Sequence, residues 1–285
     1  MTGNTGETKP TLVLGGTGKT GRRVVERLEA RGLPVRVGSR SGTPRLDWED
    51  RSTWTPVLDG VGSIYLTYYP DIAVPGARET IRSFAELAIE SGVPRMALLS
   101  GRGEPEAERA EQAVWETPAE LTIVRSNWFN QNFSEDYLLD HVLSGEIRVP
   151  GADAATPFVD ADDIADVAVA ALTDDRHIGE VYDLTGPRSI TFAEATAAIG
   201  AAVGRELRYT PISLEQHEVE LAAQGVEPEV IQLLNYLFSE QLLDGRNSTP
   251  ADGVERALGR KPRDFADYAH DAAATGVWGR PAVAA

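Results

Sequence analysis

Cysteine is absent from the chain, so there is no disulfide framework, thiolate nucleophile or cysteine-based metal site, and nothing points to an oxidising compartment. Lysine is scarce: Lys9, Lys19 and Lys261 are the three, with none between the second and the third. No run of about eighteen apolar residues occurs, and the opening MTGNTGETKP is polar with no apolar stretch suited to export. The expectation is a soluble cytoplasmic protein whose first eight residues are frayed. Positive charge is in deficit. With 27 Lys and Arg against 44 Asp and Glu, the formal charge is −17, a field that repels nucleic acid and acidic membrane surfaces. A small-molecule partner remains. No His/Asp spacing suggests a metal.

Glycine, by contrast, is concentrated where chemistry begins. The run Gly15-Gly16-Thr17-Gly18-Lys19-Thr20 resembles the end of a phosphate-binding P-loop, but that loop needs a glycine five residues before its Gly-Lys, where Val13 stands inside the apolar run Leu12-Val13-Leu14. Read as Gly15-x-x-Gly18-x-x-Gly21, with Gly16-x-Gly18-x-x-Gly21 overlaid, the stretch fits a dinucleotide-binding turn between a strand and a helix. In such a turn the first glycine allows the tight bend, the second lets a pyrophosphate approach the backbone, and the third lets the helix pack on the sheet. Gly15, Thr17, Gly18, Lys19, Thr20 and Gly21 are the candidate phosphate-binding residues.

Along the chain, buried-strand patterns at Thr11–Leu14, Val35–Val37, Ile64–Leu66, Met96–Leu99 and Leu121–Val124 alternate with helical stretches behind the glycines, near 76–91 and over 105–116. At 285 residues this predicts an α/β fold with a doubly wound parallel sheet covered on both faces. After about residue 145 the pattern shifts to Pro/Gly-marked segments and helices: an Asp-capped helix over Asp163–Leu172, a strand at Val181–Leu184, a capping box at Thr191–Glu194, and a helical region over Ser213–Leu243. The expected division is a dinucleotide-binding domain over 1–145, its sheet completed by later strands, and a smaller, mainly helical substrate-binding part over 146–285.

Some 19 residues beyond Gly21, where NAD-type folds place an acid on the ribose hydroxyls, the chain reads Ser39-Arg40-Ser41. A guanidinium flanked by hydroxyls suits the 2′-phosphate of NADP, which a carboxylate would repel. Lys19 adds charge near the phosphates.

Four stretches now carry a resemblance: Leu14–Gly21; Leu46-Asp47-Trp48-Glu49-Asp50; Val124-Arg125-Ser126-Asn127-Trp128-Phe129-Asn130-Gln131-Asn132-Phe133; and Phe158–Ala165 followed by Leu184-Thr185-Gly186-Pro187. In this order, over nearly the whole chain, they resemble the NmrA-like branch of the atypical short-chain dehydrogenase/reductases. The resemblance implies a Rossmann-type domain that binds NADP(H) through the glycine turn and the basic end of the second strand. It also implies Asp47 and Trp48 by the adenine, Thr67 and Tyr68 by the ribose, and Ser126, Asn127, Trp128 and Phe129 near the nicotinamide.

Most short-chain reductases protonate the nascent alkoxide with a Tyr activated by a Lys four residues later, and the lysine gap excludes that dyad here. The same gap disfavours the isoflavone-reductase relatives, which rely on a lysine in the substrate cleft. Ser100 is the candidate catalytic hydroxyl. Aromatic residues at strand ends and in the C-terminal helices, Tyr69, Trp128 and Tyr236, are candidates to wall a flat apolar substrate pocket. His141 and His177 read as surface or structural, the Asp160/Asp162/Asp163 run as a helix cap, and Leu99–Gly103 as a partial echo of a hydrolase elbow. The function that follows is NADPH-dependent reduction of a ketone or quinone in an aromatic polycyclic molecule, such as a polyketide intermediate of antibiotic biosynthesis, with the substrate supplying its own proton. The competing reading is a non-catalytic NADP(H)-binding redox regulator. Oligomeric state is not legible.

Overall fold

The computed structural model describes residues 8–279; most of the segment expected to be frayed lies outside them. The strands are β1 Thr11–Leu14, β2 Val35–Gly38, β3 Ser63–Leu66, β4 Arg95–Gly101, β5 Glu120–Ser126, β6 Glu146–Val149, β7 Ala155–Thr156, β8 Val181–Leu184, β9 Ile190–Thr191 and β10 Arg208–Pro211. The helices are α1 Gly21–Ala30, α2 Trp54–Leu58, α3 Ala77–Glu90, α4 Pro105–Trp115, α5 Asn132–Glu135, α6 Leu139–Ser144, α7 Ala161–Thr173, α8 Phe192–Val203, α9 Leu214–Ala223, α10 Pro228–Tyr236, α11 Gly253–Leu258 and α12 Phe265–Ala274.

Two compact units divide the chain. The first comprises the described residues up to Ser126 together with Ala161–Leu184 and Gly253–Arg260; the second comprises Asn127–Asp160, Thr185–Asp252 and the described residues from Lys261 onward. The backbone therefore crosses between units five times, not once near residue 145. The reason is long-range pairing: β8 adds to the edge of β5 in parallel, and Gly253 sits so close to the Asp183 carbonyl that a Cβ there would overlap it.

In the first unit a six-stranded sheet has the order β2-β1-β3-β4-β5-β8, all pairs parallel. This is the Rossmann-type α/β fold that the strand and helix alternation predicts. Successive side chains of a strand point to opposite faces, and here they sort into two cores. Val13, Tyr65 and Ala97 join Val24 and Leu28 of α1 and Ala165, Ala168 and Val169 of α7. Leu12, Leu14, Ile64, Leu66, Met96 and Leu98 join Ile81, Phe84, Ala85 and Ala88 of α3 and Ala110 and Val114 of α4. Each fully buried Leu, Val or Phe stabilises by roughly 1.5–3 kcal/mol relative to exposure. α1 stops where Gly32 takes φ +70° and the Leu33 N–H returns to the Leu28 carbonyl at 3.0 Å.

The second unit holds two small sheets, β6 with β10 and β7 with β9. Its core is aromatic: Trp128, Phe133, Phe158, Phe192, Phe238, Phe265, Tyr268 and Trp278 are all buried. Thr191 and Glu194 form the expected capping box at the start of α8. The helical region over Ser213–Leu243 is interrupted, because Gly225 at φ +77° ends α9 and Pro228 opens α10, which continues into a π-helical segment, Leu237–Leu243. Among the described residues no helix is long and apolar enough to cross a membrane.

Candidate active site

The glycine turn leaves β1 at Gly15, whose φ of +60° is the left-handed region that a side chain resists. Val13, where a P-loop needs glycine, is wholly buried within the strand, which excludes that reading. A Cβ on Gly21 would overlap the Gly15 carbonyl, so this glycine serves the packing of α1 on the sheet. A Cβ on Gly18 would stand 3.2 Å from the same carbonyl, tight but accommodated by a small shift. Gly15, Thr17 and Gly18 are exposed. Thr20 makes no side-chain cap, and no acid in the first turn of α1 offsets the positive end of the helix dipole. These residues fit the pyrophosphate of a dinucleotide. The carbonyl of Lys19 accepts from Arg23 Nη1 at 2.7 Å, tying the turn to the helix.

Directly after β2, Ser39 and Ser41 bring their hydroxyls to 3.5 Å of each other around the exposed Arg40. Among the described residues no carboxylate pairs with Arg40; its guanidinium lies over the ring of Tyr69. Tyr69, a candidate for the substrate wall, is 70% exposed and sits at the basic end of β2. Trp48 packs against Tyr68, Phe84 and Trp54, with ring centroids at 5.0, 5.2 and 5.9 Å. Asp47 anchors this cluster through its carbonyl, which accepts from Trp54 Nε1 at 2.9 Å, while its carboxylate pairs with Arg45. The Thr67 hydroxyl donates to the Leu14 carbonyl at 3.3 Å and so ties the end of β3 to the start of the glycine turn.

The carboxyl ends of β4 and β5 lie in register, Ser100 opposite Arg125 and Gly101 opposite Ser126. Ser126 donates to the Ser100 carbonyl at 3.2 Å. The Ser100 hydroxyl itself is buried and has no hydrogen-bond partner among the described residues. Beyond this point the nicotinamide candidates divide. Asn127, in the second unit, spends its amide on structure: Nδ2 donates to the Asn247 carbonyl at 3.2 Å, and Oδ1 accepts from the Trp128 N–H at 2.9 Å. Trp128 is 9% exposed and packs on Phe238 and Phe192, a core residue of that unit. Phe129 is half-buried and bridges Val159 through its backbone; Tyr236 is half-buried at the end of α10.

His141 accepts the Arg148 N–H at 3.1 Å, and buried His177 places Nδ1 2.8 Å from the Tyr182 hydroxyl. Both are structural. The aspartate run at the start of α7 adds ion pairs to its place near the helix terminus: Asp162 with Arg27 at 2.7 Å, and the wholly buried Asp163 with Arg260 at 2.6 Å.

Two carboxyls that sequence reasoning passed over stand at the same strand ends. Glu104 is 6% exposed and occupies the cap position before Pro105 of α4 without capping it. Its Oε1 fills the space over Gly101 that a Cβ would need, and its Oε2 has no hydrogen-bond partner among the described residues. Burial, and behind it the charge of Asp71, pushes its pKa up to about 8. Burial also holds the Asp71 carboxyl above its ordinary range, against the pull of the Ala73 N–H that donates to it at 2.8 Å. The one local signal was a Glu directly before a helix-opening Pro, a cap position where Ser, Thr, Asp or Asn is preferred.

No family model matches the chain. It is 32% identical over 283 residues to the uncharacterized oxidoreductase YesF of Bacillus subtilis (strain 168), an alignment covering 94% of this chain and 98% of that one. The chain is an oxidoreductase of the NmrA-like branch of the atypical short-chain dehydrogenase/reductases. A second NmrA-like relative, the NAD(P)H azoreductase of Xenophilus azovorans, is 29% identical over 276 residues, 90% of this chain and 96% of that protein. The same fold occurs in the NADPH-dependent quinone oxidoreductase QOR2 of Escherichia coli, with a TM-score of 0.76 at 18% identity over 92% of this chain and 99% of that one.

Proposed function

We propose that this NmrA-like protein is an NADPH-dependent reductase acting in the cytoplasm on a ketone or quinone of an aromatic, polycyclic small molecule, with the tailoring of aromatic polyketides in antibiotic biosynthesis as its setting. The observation that carries the reading is Arg40: an exposed guanidinium without a carboxylate partner among the described residues, at the end of the second strand and beside two hydroxyls, where it meets a 2′-phosphate. The aromatic substrate class draws support from the azoreductase relative.

When bound, NADPH supplies a hydride from its nicotinamide. The chain supplies position and field. The turn from Gly15 to Gly21 holds the pyrophosphate, Arg40 with Ser39 and Ser41 holds the 2′-phosphate, Asp47 with Trp48 borders the adenine, and Thr67 with Tyr68 borders the ribose. Ser126, at the end of β5, stands toward the nicotinamide. Ser100 offers its hydroxyl, unpartnered among the described residues, to the developing oxyanion. No Tyr is followed four residues later by a Lys, so the proton comes from another group.

The test is NADPH oxidation by the full chain against a panel of quinones and hydroxylated aromatic ketones. Turnover with at least one aromatic acceptor, and preference for NADPH over NADH, is the expected result. Tight NADPH binding with no acceptor reduced across the panel would leave a cofactor-binding protein without this activity.

A further inference from the structure

We propose that Glu104, held over Gly101 and beside Asp71, is the acid that donates the proton completing the reduction. The proposal rests on the reductase reading above.

The placement comes first. β4 ends at Gly101 and α4 opens at Pro105, so Glu104 closes a three-residue connection at the carboxyl edge of the parallel sheet, where doubly wound folds place their ligands. A glutamate in that position ordinarily extends into water. This one is folded back and buried, one oxygen against the Gly101 backbone and the other without a partner. Gly101 is what allows this, since any side chain there would displace the carboxyl. The neighbouring Ser100 hydroxyl is likewise buried and unpartnered. A buried carboxyl oxygen left unsatisfied at the carboxyl edge of the sheet marks a place where a ligand atom completes the set.

The electrostatics then fix the proton. Among the described residues no Arg, Lys or His pairs with Glu104. Arg102, on the same connection, points to Asp183 at 3.9 Å, and Arg125 of β5 is engaged by Glu111 at 2.6 Å. The charged group that bears on Glu104 is Asp71, from the segment after β3, and it has the same sign. A buried carboxyl facing another carboxylate and no cation keeps its proton at neutral pH.

The chemistry balances. The carbonyl carbon of the substrate accepts a hydride and its electron pair, so the carbonyl is reduced and NADPH is oxidised to NADP+. The carbonyl π pair moves onto oxygen, and that oxygen takes the proton as the Glu104 O–H bond breaks, leaving an alcohol and a carboxylate. Two adjacent carboxylates repel, so Glu104 regains a proton from water before the next turnover. A ketone with no phenol of its own depends on this route, because it carries no internal donor.

The experiment compares wild type, Glu104→Gln and Asp71→Asn as full chains, with an aromatic ketone lacking a neighbouring phenol. In wild type kcat falls as pH rises through about 8. Glu104→Gln lowers kcat by roughly 10²–10⁴-fold, the range of general acid catalysis, keeps NADPH affinity, and loses the pH dependence. Asp71→Asn moves the midpoint of the wild-type profile down, which a merely structural acid would not do. Independently of turnover, infrared spectra show a protonated-carboxyl band at neutral pH that disappears in Glu104→Gln. Equal rates and identical pH profiles for wild type and Glu104→Gln, or a Glu104 that is ionised at pH 7 by infrared, overturn the proposal while leaving the reductase reading intact. A wild type that reduces no acceptor overturns that reading, and the donor role with it.

Discussion

The guanidinium of Arg40 lies 5.7 Å from the centroid of the Tyr69 ring. An arginine fixed over an aromatic face loses less freedom when it meets a phosphate than one swinging in water. Arg40→Ala should therefore weaken NADPH binding by about 1.5–3 kcal/mol, the range of a charge-assisted hydrogen bond, and leave NADH nearly unchanged. Tyr69→Leu should do the same on a smaller scale, about 0.5–1 kcal/mol. Titration calorimetry with both cofactors checks the pair. Equal losses for NADPH and NADH would make the arginine a structural residue.

Gly18 and Gly21 should separate binding from folding. Ala at 18 needs a shift of a few tenths of an ångström and projects into the exposed turn, so the variant folds but loses cofactor affinity. Ala at 21 overlaps the Gly15 carbonyl and should destabilise the fold itself. Thermal unfolding with and without NADPH distinguishes them.

The raised pKa of Glu104 makes stability depend on pH in a stated direction. Its carboxyl ionises near the ordinary 4.5 when unfolded and at about 8 when folded, so between those values the folded state binds more protons. Stability from this group is greatest below about 4.5, falls as pH rises toward about 8, and levels off beyond it. The loss is on the order of a few kcal/mol, at about 1.4 kcal/mol per pH unit. Denaturant titrations at pH 6 and pH 9 should show a clear drop in wild type and a smaller one in Glu104→Gln.

Asp163 and Arg260 provide a stability test away from the cofactor. The carboxylate is wholly buried and 2.6 Å from the guanidinium, so Arg260→Ala removes a charged partner from a buried carboxylate and should cost about 1–3 kcal/mol, less than a fully buried pair because the guanidinium is partly in water. The conservative Asp163→Asn paired with Arg260→Ala should recover part of that in urea unfolding.

What could be read in the sequence was what short-range patterning controls. Thr11–Leu14 is fully apolar in environment because both faces of a central strand are covered, and that run is visible without a fold. The glycine spacing and the Thr191–Glu194 box are likewise local. The order in which the chain shares itself between units was hidden, since it depends on β8 finding β5 some sixty residues earlier. The bond from the Asn127 amide to the Asn247 carbonyl was equally hidden, because its partner lies 120 residues away. Glu104 carried only the weak signal of its place before Pro105, because the burial beside Asp71 that raises its pKa depends on a segment some thirty residues earlier. The self-protonating substrate inferred from the lysine gap thus meets a rival donor within the protein.

The most direct test of the reductase account follows the hydride itself. NADPH deuterated at the nicotinamide C4 is incubated with the protein and an aromatic ketone that it turns over, and the product is examined by mass spectrometry and NMR. The account predicts one deuterium on the former carbonyl carbon, with the hydroxyl proton drawn from water through exchange. Deuterium retained in the cofactor, or product formed without label, would contradict it.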